Sequence, residues 1–341
     1  MRPLFGGPAD GPFARALADV GVPVVPVTFG RLREMATVVS AVRRVRQLVR
    51  EHRIDVVHAN GPQTNVVAGI AGRLTGVPAV WHARNLIYGR MLDVDRLLAA
   101  LPARIICNSE AIRRRFFGSR GWKKSVTILN GVDTTEFHPG VLRDGFRREL
   151  GIPPDEPVVG IVGRIGLGKG HDDFIDAAIR LLADGARAHF LVVGDPLFAE
   201  DAWRPEMLQR RVKDAGHDAR IRFTGFRRDV PQVMRGLDVL VLASHAEPCG
   251  RVLFEAMASA TAIVATDSGG TPEIVRHGHE GLLVPPRDSA ALAGAIDRLI
   301  REPGTRAMLG RAGVDRVRAE FTVERHVART VQVYEDVAGH R

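Results

Sequence analysis

The apolar run Leu237-Asp238-Val239-Leu240-Val241-Leu242-Ala243, followed closely by Glu247-Pro248-Cys249-Gly250-Arg251-Val252-Leu253-Phe254-Glu255-Ala256-Met257, constrains the fold of this chain most tightly. The run is apolar at nearly every position, which fits a parallel strand buried on both faces. Pro248 and Gly250 break the chain where that strand ends. Val252, Leu253, Ala256 and Met257 then recur at helical spacing. Strand, tight loop and helix is the unit of an α/β fold. The start of such a helix offers free backbone N–H groups and a positive dipole end, which suit a phosphate. Glu247 stands just before that start and Glu255 eight residues on, up to about 12 Å apart at the helical rise. Carboxylates at that distance are acceptors for two separate sets of hydroxyls. The plainer alternative is a surface helix with two solvated glutamates, and the strand, Pro and Gly weigh against it.

A chain of 341 residues suits two domains of ordinary size, and 45% hydrophobic residues can bury two cores. Cys107 and Cys249 lie far apart and in no metal-ligand spacing. That points to a reducing cytosol and away from a disulfide framework. Cys249 reads as a small filler in its loop rather than a nucleophile, which would need a nearby base. No stretch reaches the ~18 continuous apolar residues of a membrane span. The opening MRPLFGGPADG lacks the apolar core of a signal peptide.

The net charge of +9 is uneven: residues 1–150 hold 23 Lys+Arg against 12 Asp+Glu, and residues 151–341 hold 25 against 27. A basic half beside a near-neutral one suits an anionic ligand, an anionic membrane surface or nucleic acid. It equally suits a chain that uses arginine wherever a solvated residue is needed.

Along the N-terminal half, a Rossmann-like unit should open with a full apolar strand. Only Pro3-Leu4-Phe5 precedes Gly6-Gly7, so the first strand is very short or begins upstream; Gly6, Gly7 and Gly11 are all candidates for a phosphate-facing turn. A helix is expected over Gly11 to Val20, a strand over Val22 to Val27, and a helix over Arg31 to Arg53. The last would carry Arg43, Arg44, Arg46 and Arg50 on its outer face. Strands follow at Ile54 to His58, Ala79 to His82 and Arg104 to Asn108, with a helix at Thr64 to Leu74. His82 stands at a strand's C-terminal end, where open α/β sheets bind ligands. Asp93-Val94-Asp95 spells a metal-binding Asp-x-Asp but opens a helix, where aspartates favour the positive end. Ser109 is expected to cap a helix containing Arg113, Arg114, Arg115, Phe116 and Phe117. With Arg120, Trp122, Lys123 and Lys124 this is either a helix with its Phe residues inside or a basic-aromatic surface for an anionic bilayer. Nucleic acid is disfavoured, because no recognised binding pattern accompanies it.

In the C-terminal half, Pro157 to Val162 reads as a buried strand running into Gly163-Arg164 and Gly168-Lys169-Gly170 ahead of a helix over Asp172 to Leu182. A Gly-rich turn with two cations ahead of a helix can hold a diphosphate. Strands at Phe190 to Gly194, Ile221 to Gly225 and Ile263 to Thr266 follow, and Glu273 is expected to cap the next helix. A last helix, Thr322 to Val337, would bury Val327, Val331 and Tyr334.

The segments GRIGLGKGHDDFIDAA, FTGFRRDVP, EPCGRVLFEAM, TDSGGTPEIV and GLLVPPRD follow one another in this order, with ILNGVDTTEF before them. Together they resemble the retaining GT-B glycosyltransferases, most closely glycosyltransferase family 4, over about residues 10–337. The resemblance implies an α/β GT-B fold. Residues 1–150 would form an N-terminal Rossmann-like acceptor domain and 151–321 a C-terminal donor domain across a cleft, with 322–341 crossing back as a helix onto the N-terminal domain. It also implies a nucleotide diphosphate sugar, commonly of UDP or GDP, as donor substrate, with no cofactor and no metal. Arg164 and Lys169 would contact the diphosphate, together with N–H groups near Gly250, Val252 and Leu253. Glu247 would hold the sugar, Glu255 the ribose, and His82 would line the sugar's other face. Gly163 and Gly7 would approach the donor, and Phe226 and Arg227 would receive the base. The partners implied are the nucleotide-sugar and a hydroxyl acceptor, lipid-linked, polysaccharide or small, in an enzyme of the cytoplasm or its membrane face. A nucleotide-sugar epimerase or phosphorylase of the same fold, or a silent anion-binding protein, is the alternative.

Overall fold

The structure is a computed structural model that describes residues 1–87 and 92–339. The chain forms two compact units. The first comprises Met1–Ile128 and Ala328–Arg341, the second Leu129–Val327.

In the first unit, β1 (Phe5–Gly7) pairs with β2 (Val24–Pro26) as a two-stranded parallel sheet. A separate sheet carries β3 (Val57–Asn60), β4 (Ala79–Ala83), β5 (Arg104–Cys107) and β6 (Ser125–Thr127) side by side, all parallel. Alternation along these strands sends residues to opposite faces. Ala59, Trp81, Ile105 and Cys107 pack with Ile112 and Phe116 on one side. Val80 and Ile106 face the other, where Val333, Tyr334 and Val337 of helix Val323–Ala338 cover them. The buried stripe of this last helix is therefore centred on Val333 and not on Val327, which is half exposed. The helix lies over the sheet with a different azimuth from the one its apolar spacing suggests.

Three other local expectations shift. The helix read over Arg31 to Arg53 runs Met35–Glu51, and the strand read over Ile54 to His58 is Val57–Asn60. The Asp93 helix is one turn, Val94–Leu97. Its Asp93 side chain accepts from the Arg96 N–H and is gripped by Arg115 at 2.7 Å, while Asp95 accepts from the Asn65 amide. Ser109 does cap its helix, accepting from the Ile112 N–H. Of the two following phenylalanines only Phe116 is buried; Phe117 is exposed and packs edge-on against Trp122, over which Arg113 lies.

The second unit is built on one six-stranded parallel sheet. Its strands are β7 (Val158–Val162), β8 (His189–Val193), β9 (Ile221–Gly225), β10 (Val239–Leu242), β11 (Ala262–Thr266) and β12 (Gly281–Val284). Their order is β12-β11-β10-β7-β8-β9, so the connection reverses between β7 and β10. Both faces are covered. Val159, Ile161, Phe190, Val192, Val239, Val241 and Val264 form one core, and Val158, Leu191, Val193, Leu240, Leu242 and Ile263 the other. Burial at every position is why β7, β8, β10 and β11 read as largely apolar runs. Val132, Phe137, Phe146 and Ile152 join the second of these cores, so the Pro- and charge-rich stretch from 129 to 157 packs as part of this unit. Helix Asp144–Glu149 anchors it. Arg147 of that helix is buried against Asp238 and donates to the carbonyls of Gly236, Pro154 and Glu156.

In such sheets ligands bind beyond the carboxyl ends of the strands, at the point where the strand order reverses. Here that point is the pair of loops after β7 and β10. Glu273, expected as a cap, lies inside the four-residue helix Thr271–Ile274, whose start has no side-chain cap.

Candidate active site

The loop from Ala243 to Gly250 connects β10 to helix Arg251–Ala258. Glu247, only 6% exposed, sits in it. Its Oε2 accepts from the Lys169 ammonium at 2.8 Å and from the Ser244 hydroxyl at 3.0 Å. Two neighbouring loops close on this one through backbone contacts. The His245 N–H donates to the Gly168 carbonyl and the Gly270 N–H to the Glu247 carbonyl. The Ser268 hydroxyl donates to the His245 carbonyl. The approach is so close that glycine is required twice. Gly170, at φ 73°, would put a Cβ 1.9 Å from the Ala243 carbonyl oxygen, and Gly269, at φ 61°, one 2.1 Å from that of Glu247. The ring of His245 is tied at 2.7 Å to Asp173 of helix His171–Ala183, which follows the β7 loop.

Helix Arg251–Ala258 begins after Gly250 with no side-chain cap. The Leu253 N–H is spent on the Gly250 carbonyl, so the helix's anion-facing donors come from the residues before Leu253. Val252 is half-buried there and packs against the core. Glu255 lies further along, 9% exposed, with Arg251 one turn back at 3.6 Å. Burial pushes its carboxyl above the ordinary glutamate value of 4.5; Arg251 draws it down and Glu136 adds to the rise. For a group whose folded pKa is raised, stability is fullest below the unfolded value and is lost as pH climbs through the folded one. Glu255→Gln is therefore expected to melt at a higher temperature than the native protein at neutral pH and at the same temperature near pH 4. Thermal unfolding across that range checks this, and a gap that widened on acidification would contradict it.

The loop after β7 carries Gly163, Arg164 and Lys169. Gly163 is at φ 147°, and a Cβ on Gly194 would meet its carbonyl oxygen at 2.0 Å, so the ends of β7 and β8 touch backbone to backbone. Arg164 lies over the Phe198 ring and pairs with Asp201 at 3.8 Å. Phe226, beyond β9, is exposed, and its N–H donates to the Asp195 carboxylate. Arg227 is held by Glu149 and Asp229 through four hydrogen bonds and lies over Phe146. Glu149 and Asp229 together raise its pKa further, so its guanidinium is committed to the protein. In the first unit His82 is 2% exposed on β4 and stacks on His58, whose Nδ1 meets the Tyr334 hydroxyl. Gly7 ends β1, with its carbonyl accepting from the Val27 N–H.

Glu247, Lys169, Gly250, Val252 and Glu255 thus gather around one loop and one helix, with Arg164 and Gly163 on the adjoining loop. Phe226 and Arg227 stand two strands along, after β9. Ser244, His245, Asp173 and Asp201 escaped the sequence reading. Ser244 and His245 carried a weak signal, lying three and two residues before Glu247, and Asp173 lies inside the segment GRIGLGKGHDDFIDAA; Asp201 carried none.

A parallel sheet flanked by helices, with a polar site at its switch point, defines an open α/β protein with a ligand site at its strand ends, and comparison with known proteins makes the class specific. The profile of glycosyl transferases group 1 matches residues 143–316, and that of Glycosyltransferase Family 4 matches residues 4–136. The chain belongs to this glycosyltransferase family, and its fold is GT-B. It is 31% identical over 324 residues to the D-inositol 3-phosphate glycosyltransferase of Acidothermus cellulolyticus, covering 89% of this chain and 71% of that one. It is 29% identical to the lipopolysaccharide core biosynthesis mannosyltransferase LpsB of Rhizobium meliloti, covering 76% and 79%. The crystal structure of Anabaena HepE with UDP and glucose superimposes with a TM-score of 0.84 at 28% identity, over 96% of this chain and 91% of that one.

Proposed function

We propose that this glycosyltransferase moves a hexose from a nucleotide diphosphate sugar to an acceptor hydroxyl, with retention at the anomeric carbon and without a metal. The observation that carries the reading is the Lys169–Glu247–Ser244 cluster at the switch point, beside a helix start and Arg164. Arg164, Lys169 and the N–H groups at the start of helix Arg251–Ala258 stabilise the charge that builds on the departing diphosphate. Two cations and a helix end supply there the positive charge that a divalent ion supplies elsewhere. Glu247 accepts hydrogen bonds from sugar hydroxyls, and Glu255 from the ribose.

In the chemical step the acceptor oxygen bonds to the anomeric carbon as the bond from that carbon to the phosphate oxygen breaks. The leaving phosphate oxygen takes the acceptor's proton, on the same face, and the products are the glycoside and a nucleoside diphosphate. A step of this kind needs no dedicated general base. The UDP complexes of HepE favour a uridine nucleotide as the first donor to test. The basic first unit favours an anionic or lipid-borne acceptor. Among the described residues no helix is long and apolar enough to cross a membrane.

The direct test is a melting-temperature series with UDP, GDP and ADP. A ligand that binds only the folded state at 100 times its Kd adds about 2.7 kcal/mol, a rise of a few degrees for a chain of this size. One of the three is expected to give it. If none shifts the transition, the donor reading is wrong.

A further inference from the structure

We propose that Asp201 is a positioning residue for the donor diphosphate, acting through Arg164 and the loop that follows it. The proposal rests on the reading of that loop as the diphosphate site. Asp201 belongs to none of the motifs of this chain; it lies in a short 3-10 turn, Ala199–Asp201, in the connection from β8 to helix Arg204–Asp214. It is nonetheless 7% exposed and turned toward the β7 loop.

Its two oxygens do different work. Oδ1 accepts from the Leu167 N–H at 3.1 Å, which pins the tip of a loop whose Leu167 side chain is otherwise 81% exposed. Oδ2 faces the Arg164 guanidinium at 3.8 Å. Gly166 makes the approach possible, because a Cβ there would stand 2.9 Å from Oδ2. The Phe198 ring, three residues before Asp201, supports Arg164 from a second side at 4.8 Å.

The arrangement holds Arg164 from two sides. At 3.8 Å the ion pair is loose, and the Arg164 side chain is still 37% exposed. Its planar fork of N–H donors therefore remains open to a phosphate while its direction is set by Asp201 and Phe198. A long arginine on a Gly-rich loop would otherwise lose its side-chain freedom at each binding event, which weakens binding. Asp201 removes most of that cost beforehand by ordering both the arginine and the backbone around Gly166. Its carboxylate orients the guanidinium through a loose pair and leaves the remaining N–H donors of the fork for a phosphate.

The measurement is calorimetric binding of UDP and UMP, or of GDP and GMP if the base is guanine, to the full chain. Asp201→Ala is expected to weaken the diphosphate about 10-fold and to leave the monophosphate within about 2-fold. Asp201→Asn is isosteric and keeps an oxygen for the Leu167 N–H. It is expected to weaken the diphosphate about 3-fold, and it carries the test if alanine unfolds the chain. Equal losses for both nucleotides would mean general damage and would overturn the positioning role. Native diphosphate affinity in both Asp201 variants, beside a clear loss in Arg164→Ala, would overturn it as well while leaving the site reading intact. If Arg164→Ala itself bound the diphosphate normally, the site reading beneath the proposal would fall instead.

Discussion

Replacing Glu247 with alanine is expected to lower kcat by about 10²- to 10³-fold with the fold intact, the scale seen when one preorganised polar contact to a transition state is lost. Lys169→Ala is expected to fall in the same range. The two losses should not add. Glu247 and Lys169 share a 2.8 Å ion pair, and residues in direct contact couple by about 0.5–3 kcal/mol. In the lone Glu247 variant the Lys169 ammonium loses the partner that aims it. In the lone Lys169 variant a buried carboxylate keeps only the Ser244 hydroxyl. The double variant suffers neither, because both groups are gone, so its activity should lie well above the product of the two single losses. Steady-state rates for the three variants, with matching circular dichroism, give the coupling. Near-native turnover in Glu247→Ala would remove the central carboxylate from the mechanism. Strict additivity would mean that the ion pair is not kept during turnover.

The largest structural effect is expected far from that loop, at Arg147. Its guanidinium is 2% exposed, reaches Asp238 and donates to three backbone carbonyls. Asp238 also accepts from the Val158 N–H at 2.8 Å and from Arg143 at 2.7 Å, with Arg306 at 3.6 Å. Breaking a buried pair by removing one member costs about 3–5 kcal/mol, because the other charge stays behind uncompensated. Arg147→Ala is expected to lose that much, read as a lower urea midpoint at unchanged slope.

The pH dependence gives a second reading of the same network. Burial raises the Asp238 pKa, but Arg147, Arg143, the Val158 N–H and Arg306 outweigh it and leave it below the ordinary aspartate value of 3.8. A depressed carboxylate stabilises above its unfolded pKa, and that stability is lost as pH falls through the folded one. Without Arg147 the folded value rises, so the acid limb of unfolding should move to higher pH. A loss under about 1 kcal/mol would show that Arg143 and Arg306 suffice to hold Asp238.

How far such sites can be read from a sequence depends on the range of the forces involved. Strands β7, β8, β10 and β11 of the second unit were legible because every residue in them is buried, so their apolarity is local and nearly continuous. The switch-point loop was legible because Pro248, Gly250 and the helical spacing after it are all neighbours in the chain. The two phenylalanines after Arg115 show the limit. Phe116 and Phe117 have the same composition and propensity, yet one fills the core of the first unit and the other stands exposed beside Trp122. The backbone turns into a 3-10 segment, Arg114–Phe116, just before the second, and nothing in the residues announces that turn. Arg227 shows the same limit for its side chain. It follows a strand end and carries a charge, but Glu149 lies 78 residues earlier in the chain and claims its guanidinium.

By itself the amino-acid order determined what depends on near neighbours: an α/β chain, the places where strands give way to helices, the glycines its turns require, and membership of a glycosyltransferase family. Tertiary structure alone decided which charges meet. Lys169 reaches Glu247 across 78 residues, Asp201 faces Arg164 from another connection, and Tyr334 comes to His58 across 276. An ion pair or a hydrogen bond needs its atoms within a few ångströms. That proximity is set by how the sheet orders its strands and where each connecting loop returns, which no local stretch of sequence encodes.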